Sequence, residues 1–215
     1  MTIFCSWSGG KESSLALNRV LQKNYQIDYL LTMLPSKESS VGHGLPSKFY
    51  RMQAESIDIE MISERTNWEN YEENMSNLIR KINPKSGVFG DVYLDDHKDW
   101  VETKSEELSF KPLEPLWNEN PEALFEEYLN NGFRGIIIKL NPEKISPDWL
   151  GKPLNQNFLD YLKEKNICPI GENGEYHTAT LDGPMFESEI EVKLGNKKEY
   201  GDNLIIELED FEIRS

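Results

Sequence analysis

Short β-prone runs alternate with helix-length runs through the first half of the chain, and few folds accommodate that order. Thr2–Ser6 reads as a strand, and Lys11–Leu21 as a helix with Leu17, Val20 and Leu21 at helical spacing. Ile27–Leu34 is a second strand, stopped by Pro35. Pro46–Ser56 reads as a helix with proline at its first position, Ile57–Ile62 as a third strand, and Asn67–Lys81 as a helix halted by Asn83-Pro84. Ser86–Val92, Asp95–Leu108 and Phe110–Leu113 continue as strand, helix and strand. This spacing predicts right-handed crossovers and an α/β fold with a parallel, Rossmann-like sheet. Ligands of such sheets sit at the carboxyl ends of the strands, so the loops after strands one, two and four are the places to search.

The pattern changes further on. Pro121–Asn131 reads as a helix carrying Leu124, Phe125, Tyr128 and Leu129, with Gly132 as its terminating glycine. Gly135–Leu140 is an apolar strand and Gln156–Lys165 another helix. Cys168–Pro184 is polar and glycine-rich. Ile190, Val192 and Leu194 alternate with charges, as do Leu204, Ile206 and Leu208, which predicts antiparallel strands with turns near Gly195-Asn196 and Gly201-Asp202. The expected partition is a nucleotide-binding domain over 1–132 and a smaller α+β substrate domain over 133–215.

Composition narrows the partners. Of 215 residues, 38% are hydrophobic and 11% aromatic, enough for a packed core. Asp and Glu number 38 against 23 Lys and Arg, a net charge of −15, which disfavours bulk nucleic-acid binding and anionic membranes. The longest apolar run is Ile136-Ile137-Ile138 and the N-terminus lacks a secretory pattern, so a cytoplasmic protein is expected. Cys5 and Cys168 fit no disulfide framework and no self-contained zinc motif, and read as reduced thiols.

Two stretches carry chemistry. In Phe4–Ser14 a strand runs through Ser6-Trp7-Ser8-Gly9-Gly10-Lys11-Glu12-Ser13 into a helix. Two glycines open backbone angles closed to other residues and clear room for a phosphate. The amides of the loop and of the first helical turn converge where the helix dipole favours an anion. Ser8 and Ser13 add hydroxyls and Lys11 a point charge. The spacing is not that of a Walker A loop. A serine-capped glycine turn is the plainer alternative. The second stretch, Gly171-Glu172-Asn173-Gly174-Glu175-Tyr176-His177-Thr178, is followed by Leu181-Asp182-Gly183-Pro184-Met185-Phe186 and gathers carboxylates, an imidazole and a phenol.

These residues resemble the signatures of the diphthine–ammonia ligase family, ATP-dependent enzymes of the pyrophosphatase-loop (PP-loop, adenine nucleotide alpha hydrolase) superfamily. Ser6–Ser13 resembles the family's Ser-Gly-Gly-Lys-Asp-Ser. Gln53-Ala54, Val88-Phe89-Gly90-Asp91-Val92, Pro115-Leu116-Trp117 and Trp149-Leu150-Gly151 follow in the family's order, and the 171–178 and 182–186 segments resemble its C-terminal signature. Glu12 stands where the family usually has Asp, and the 36–45 loop corresponds only at His43.

The resemblance implies a HUP-type nucleotide-binding domain and an AMP-forming amide synthesis. A carboxylate attacks the ATP α-phosphate, releasing pyrophosphate, and ammonia then displaces AMP. ATP and Mg²⁺ are the implied cofactors. The implied partners are ammonium and a translation elongation factor carrying diphthine, and the enzyme is expected as a homodimer. ATP-binding residues would be Ser6, Ser8, Gly9, Gly10, Lys11, Ser13, His43, Gly90 and Asp91. Catalysis would fall to Lys11, Glu172, Glu175 and His177, substrate contact to Tyr176 and Thr178, and magnesium to Glu12 and Asp91. Two other readings stay open: a pyrophosphatase-type enzyme acting on a small carboxylate or a tRNA base, and a nucleotide-binding sensor. His97, beside Asp95, Asp96 and Asp99, reads as a solvated side chain.

Overall fold

A computed structural model describes residues 2–36 and 45–214. Strands β1 (Ile3–Ser6), β2 (Tyr29–Pro35), β3 (Glu60–Thr66), β4 (Ser86–Val88) and β5 (Lys111–Leu113) form an all-parallel sheet in the order β3-β2-β1-β4-β5. Helices α1 (Lys11–Gln22), α2 (Ser47–Ile57), α3 (Tyr71–Ile82) and α4 (Asp95–Glu107) connect them. The chain winds outward from β1 to β3, then crosses back to β4, so the order reverses between β1 and β4. The crevice above that reversal is where an open α/β sheet binds ligand.

Strand alternation divides the core. Phe4 and Cys5 are both fully buried, on opposite faces of β1. Phe4 meets Phe89 and Phe110 edge-on at 5.8 and 5.6 Å, in a cluster with Leu31, Met33 and Ile79. Cys5 belongs to a larger cluster that runs through Leu15 and Phe49 to Ile137, Phe158 and Phe211. The second half of the chain therefore packs on the α1–α2 side of the parallel sheet.

That second half comprises α5 (Pro121–Asn130), β6 (Arg134–Leu140), a 3-10 turn (Pro147–Trp149), α6 (Gln156–Glu164), β7 (Tyr176–Asp182), β8 (Glu189–Tyr200) and β9 (Asn203–Arg214). The four strands form an antiparallel sheet in the order β7-β6-β9-β8. Asn120 caps α5 by accepting from the amides of Glu122 and Ala123. Gly132 leaves the helix with φ +82°, the left-handed angle that a terminating glycine supplies.

Several elements depart from expectation: β2 includes Pro35, α3 begins at Tyr71 rather than Asn67, and β4 ends at Val88 rather than Val92. β3 starts at Glu60 because α2 runs through Ile57 and Asp58 ends it with φ 54°. Gly195-Asn196 is no turn: β8 continues through it with a register slip between Leu194 and Lys197, and the chain reverses at Gly201-Asp202. The polar, glycine-rich run after Cys168 contains a full strand, β7, to which the sequence pattern assigns no element.

Candidate functional site

The β1–α1 loop is held from below by one amide side chain. Gln53, fully buried on α2, accepts from Trp7 Nε1 at 3.1 Å and donates to the carbonyls of Gly9 (3.0 Å) and Thr180 (2.7 Å). Gly9 sits at φ +73°, and a Cβ there would lie 2.6 Å from Gln53 Oε1. Ser13 and Ser14 hydroxyls donate to the Gly10 carbonyl at 3.1 and 2.8 Å, and Ser8 Oγ donates to Ser13 Oγ at 3.1 Å.

β7 closes the loop from the other side. Thr178 Oγ1 accepts from the Lys11 amide at 3.0 Å, and the Thr180 amide donates to the Gly9 carbonyl at 2.9 Å. Gly10 opens α1 without a side-chain cap of its own, so a threonine from the second sheet serves one of the amides that a helix start leaves without an intrahelical partner. The remaining first-turn amides and the dipole stay directed at the crevice.

Lys11 is buried. Its ammonium donates to the Ile170 carbonyl at 2.7 Å and lies 4.2 Å from the centre of the Tyr176 ring. Glu12 Oε1 is 2.5 Å from Lys11 Nζ, a charge contact whose angles make no hydrogen bond, and that oxygen is buried with no hydrogen-bond partner. Tyr176 holds its hydroxyl to the Pro169 carbonyl.

The β4–α4 loop adds a second group. Gly90 abuts the first turn of α1: a Cβ there would be 3.1 Å from the Glu12 carbonyl. Asp91 Oδ1 lies 2.9 Å from His97 Nδ1. The Val92 amide donates to Glu172 Oε1 at 3.1 Å. Ligand atoms of Asp91, His97 and Glu172 fall within 4.8 Å of one another. Tyr93 OH donates to Cys168 Sγ at 3.2 Å and accepts from Asn173 Nδ2 at 3.1 Å, which clasps the 171–175 turn to the β4–α4 loop. The hydrogen bond to Asp91 raises the His97 pKa. Burial pushes the Glu172 carboxyl up; the Val92 amide opposes that, and the charges of Glu12 and Asp91 add to it.

The expected site residues are therefore only partly assembled in one place. Ser8, Gly9, Gly10, Lys11, Ser13 and Thr178 share the loop, directly after Ser6 at the end of β1. Gly90, Asp91 and Glu172 join it from the β4 side. Glu175 is buried and accepts from the Asn173 amide at 3.1 Å. His177 is separated from the loop. In β7 successive side chains point to opposite faces, so Tyr176 and Thr178 meet α1 while His177 faces away, in register with Lys139 of β6. Glu12 is drawn to Lys11 rather than grouped with Asp91. His43 lies outside the described residues. His97, read as solvated, is half exposed but bound to Asp91. Gln53 and Thr180 carried signals that could have found them. Gln53 is an amide among the buried Phe49, Tyr50, Ala54 and Ile57, and Thr180 continues the two-residue period of Tyr176 and Thr178.

Comparison with known proteins gives the family. Residues 1–112 match the diphthamide synthase N-terminal domain, and residues 120–212 match the diphthamide synthase C-terminal domain. The chain is 28% identical over 215 residues to diphthine–ammonia ligase of Bos taurus and 26% to that of Homo sapiens, each covering 86% of this chain and 80% of the relative. A crystal structure described as a predicted subunit of tRNA methyltransferase from Methanocaldococcus jannaschii is 15% identical, covers 86% of this chain and 98% of its own, and has a TM-score of 0.47. With both family domains matched in order along almost the whole chain, this protein belongs to the diphthamide synthase family of ligase enzymes.

Proposed function

We propose that the chain uses ATP to join ammonia to the carboxylate of diphthine on an elongation factor, releasing AMP and pyrophosphate. The observation that carries this reading is the anion-ready loop at the β1–β4 reversal, closed by the second sheet and flanked by the 171–175 turn. Ser8, Gly9, Gly10 and Ser13 hold phosphate through amides and hydroxyls, with Ser6 and Gly90 shaping the crevice walls. The acceptor carboxylate oxygen bonds to the α-phosphorus and the bond to the bridging oxygen of pyrophosphate breaks. Ammonia then bonds to the acyl carbon and AMP leaves. Lys11 supplies positive charge from its seat beside Ile170. Glu175, buried and held by Asn173, takes the ammonium proton. Tyr176 and Thr178 fix the floor on which the acceptor rests.

Magnesium fits the oxygen donors present. Asp91 with Glu172 is the better pair, since the Glu12 carboxylate is engaged by Lys11. The ion supplies charge neutralisation on the phosphates when bound. The phosphates would occupy the 1–132 domain, and the 133–215 domain would take the acceptor.

The test is a product assay with Mg-ATP, ammonium and the diphthine-bearing factor, resolving AMP from ADP. AMP and pyrophosphate appearing only with the acceptor is the expected result. Release of ADP, or AMP formation indifferent to the acceptor, would sink the proposal.

A further inference from the structure

We propose that the Asp91–Glu172 pair assigned above to magnesium forms, together with His97, a site that prefers a first-row transition-metal dication of the Mn²⁺ or Zn²⁺ class over Mg²⁺ and is filled without nucleotide. The three side chains come from separate segments: the loop after β4, the first turn of α4, and the 171–175 turn. Their ligand atoms nevertheless lie within 4.8 Å of one another. The set is mixed, with one imidazole and two carboxylates.

Each ligand is already positioned by a contact. Glu172 gives one oxygen to the Val92 amide and keeps the other. Asp91 Oδ1 and His97 Nδ1 face each other at 2.9 Å, so an ion bound by both would take the place of the proton they share. The Tyr93–Asn173 and Tyr93–Cys168 hydrogen bonds fasten the segment bearing Glu172 to the segment bearing Asp91. Outer contacts of this kind orient metal ligands before the ion arrives.

Charge favours a dication there. Glu12 and Asp91 both act on the Glu172 carboxyl as like charges. The nearby ammonium, that of Lys11, is engaged with the Ile170 carbonyl and Glu12. The imidazole sets the kind of ion. Mg²⁺ prefers oxygen and keeps its waters, while histidine nitrogen with carboxylates suits Mn²⁺, Fe²⁺ or Zn²⁺.

The test uses the full chain stripped with a chelator and free of ATP, so its outcome is separate from that of the product assay. Mn²⁺ is titrated and the free ion followed by electron paramagnetic resonance, with Zn²⁺ and Mg²⁺ compared by calorimetry. One Mn²⁺ per chain is expected, binding more tightly than Mg²⁺, with nitrogen hyperfine coupling from His97. His97→Ala should abolish that coupling and weaken Mn²⁺ by about tenfold or more, and Glu172→Gln should weaken it similarly. His97 is 56% exposed, so its replacement leaves the core intact, and a thermal melt verifies this. No saturable Mn²⁺ binding below roughly 1 mM, or binding unchanged in both variants, would overturn the site and leave His97–Asp91 as an ion pair alone.

Discussion

Replacing Gly9 by alanine isolates what the β1–α1 loop requires. The residue sits at φ +73°, a conformation that carries about 1–2 kcal/mol of strain for an L side chain. The new methyl would also lie 2.6 Å from Gln53 Oε1 and 3.1 Å from a ring carbon of Tyr50. Gln53 cannot move without disturbing its bonds to Trp7, Gly9 and Thr180, all in the interior. Orphaning even one buried partner costs about 1–3 kcal/mol. Gly9→Ala should therefore destabilise the protein by about 2–5 kcal/mol, a large share of the roughly 5–15 kcal/mol that holds a domain folded. Urea denaturation followed by tryptophan fluorescence measures it. The double variant Gly9→Ala/Gln53→Ala removes the collision with Gln53 and, relative to Gln53→Ala, should retain the backbone strain of about 1–2 kcal/mol and the tight contact with Tyr50. A Gly9→Ala protein within about 0.5 kcal/mol of the parent would refute the reasoning.

Other consequences are as direct. Thr178→Val keeps the shape but removes the acceptor of the Lys11 amide; it should cost about 1–3 kcal/mol in denaturation and weaken ATP binding in calorimetry, while Thr178→Ser should recover both. Cys5 is fully buried and burial raises its thiol pKa, so a maleimide should modify only Cys168 in the native chain; mass spectrometry showing rapid Cys5 labelling would contradict this. Burial raises the Glu114 carboxyl above 4.5, opposed by Lys98, with Asp91 and Glu102 adding to the rise. A carboxyl whose folded pKa exceeds its unfolded value contributes stability at low pH and loses it as pH rises through the folded pKa. Glu114→Gln should thus melt higher than the parent at pH 7, with the gap closing near pH 4, and equal shifts at both pH values would contradict the sign.

The parallel sheet was legible because local pattern and tertiary role coincide there. Leu30, Leu31 and Leu34 form a buried β-prone run, and the glycine pair after β1 stands where a phosphate loop must. β7 was hidden for a physical reason. Tyr176, Thr178 and Thr180 point inward to bind α1, so the buried face is polar and the strand shows no apolar alternation. The same geometry removed His177 from the loop: proximity in sequence to Glu175 and Tyr176 does not survive the two-residue period of a strand. His97 is exposed as its polar surroundings suggest, but its neighbours Asp91 and Glu172 come from the preceding loop and from a turn 75 residues later, and no local pattern records them. Gly195-Asn196 looked like a hairpin turn, but paired neighbours on β9 absorb it as a bulge.

The threonines of β7 also set a timetable. The Lys11 amide waits for an acceptor 167 positions downstream, and Ser14 for a hydroxyl partner 166 positions downstream. A chain emerging from the ribosome delivers β1, α1 and the glycine pair early, yet those parts stay unfinished until residue 180 is free to dock. A growing polypeptide, or a fragment cut before β7, holds every residue of the loop and lacks the strand that closes it. Closure of the loop thus depends on a strand synthesised long after it.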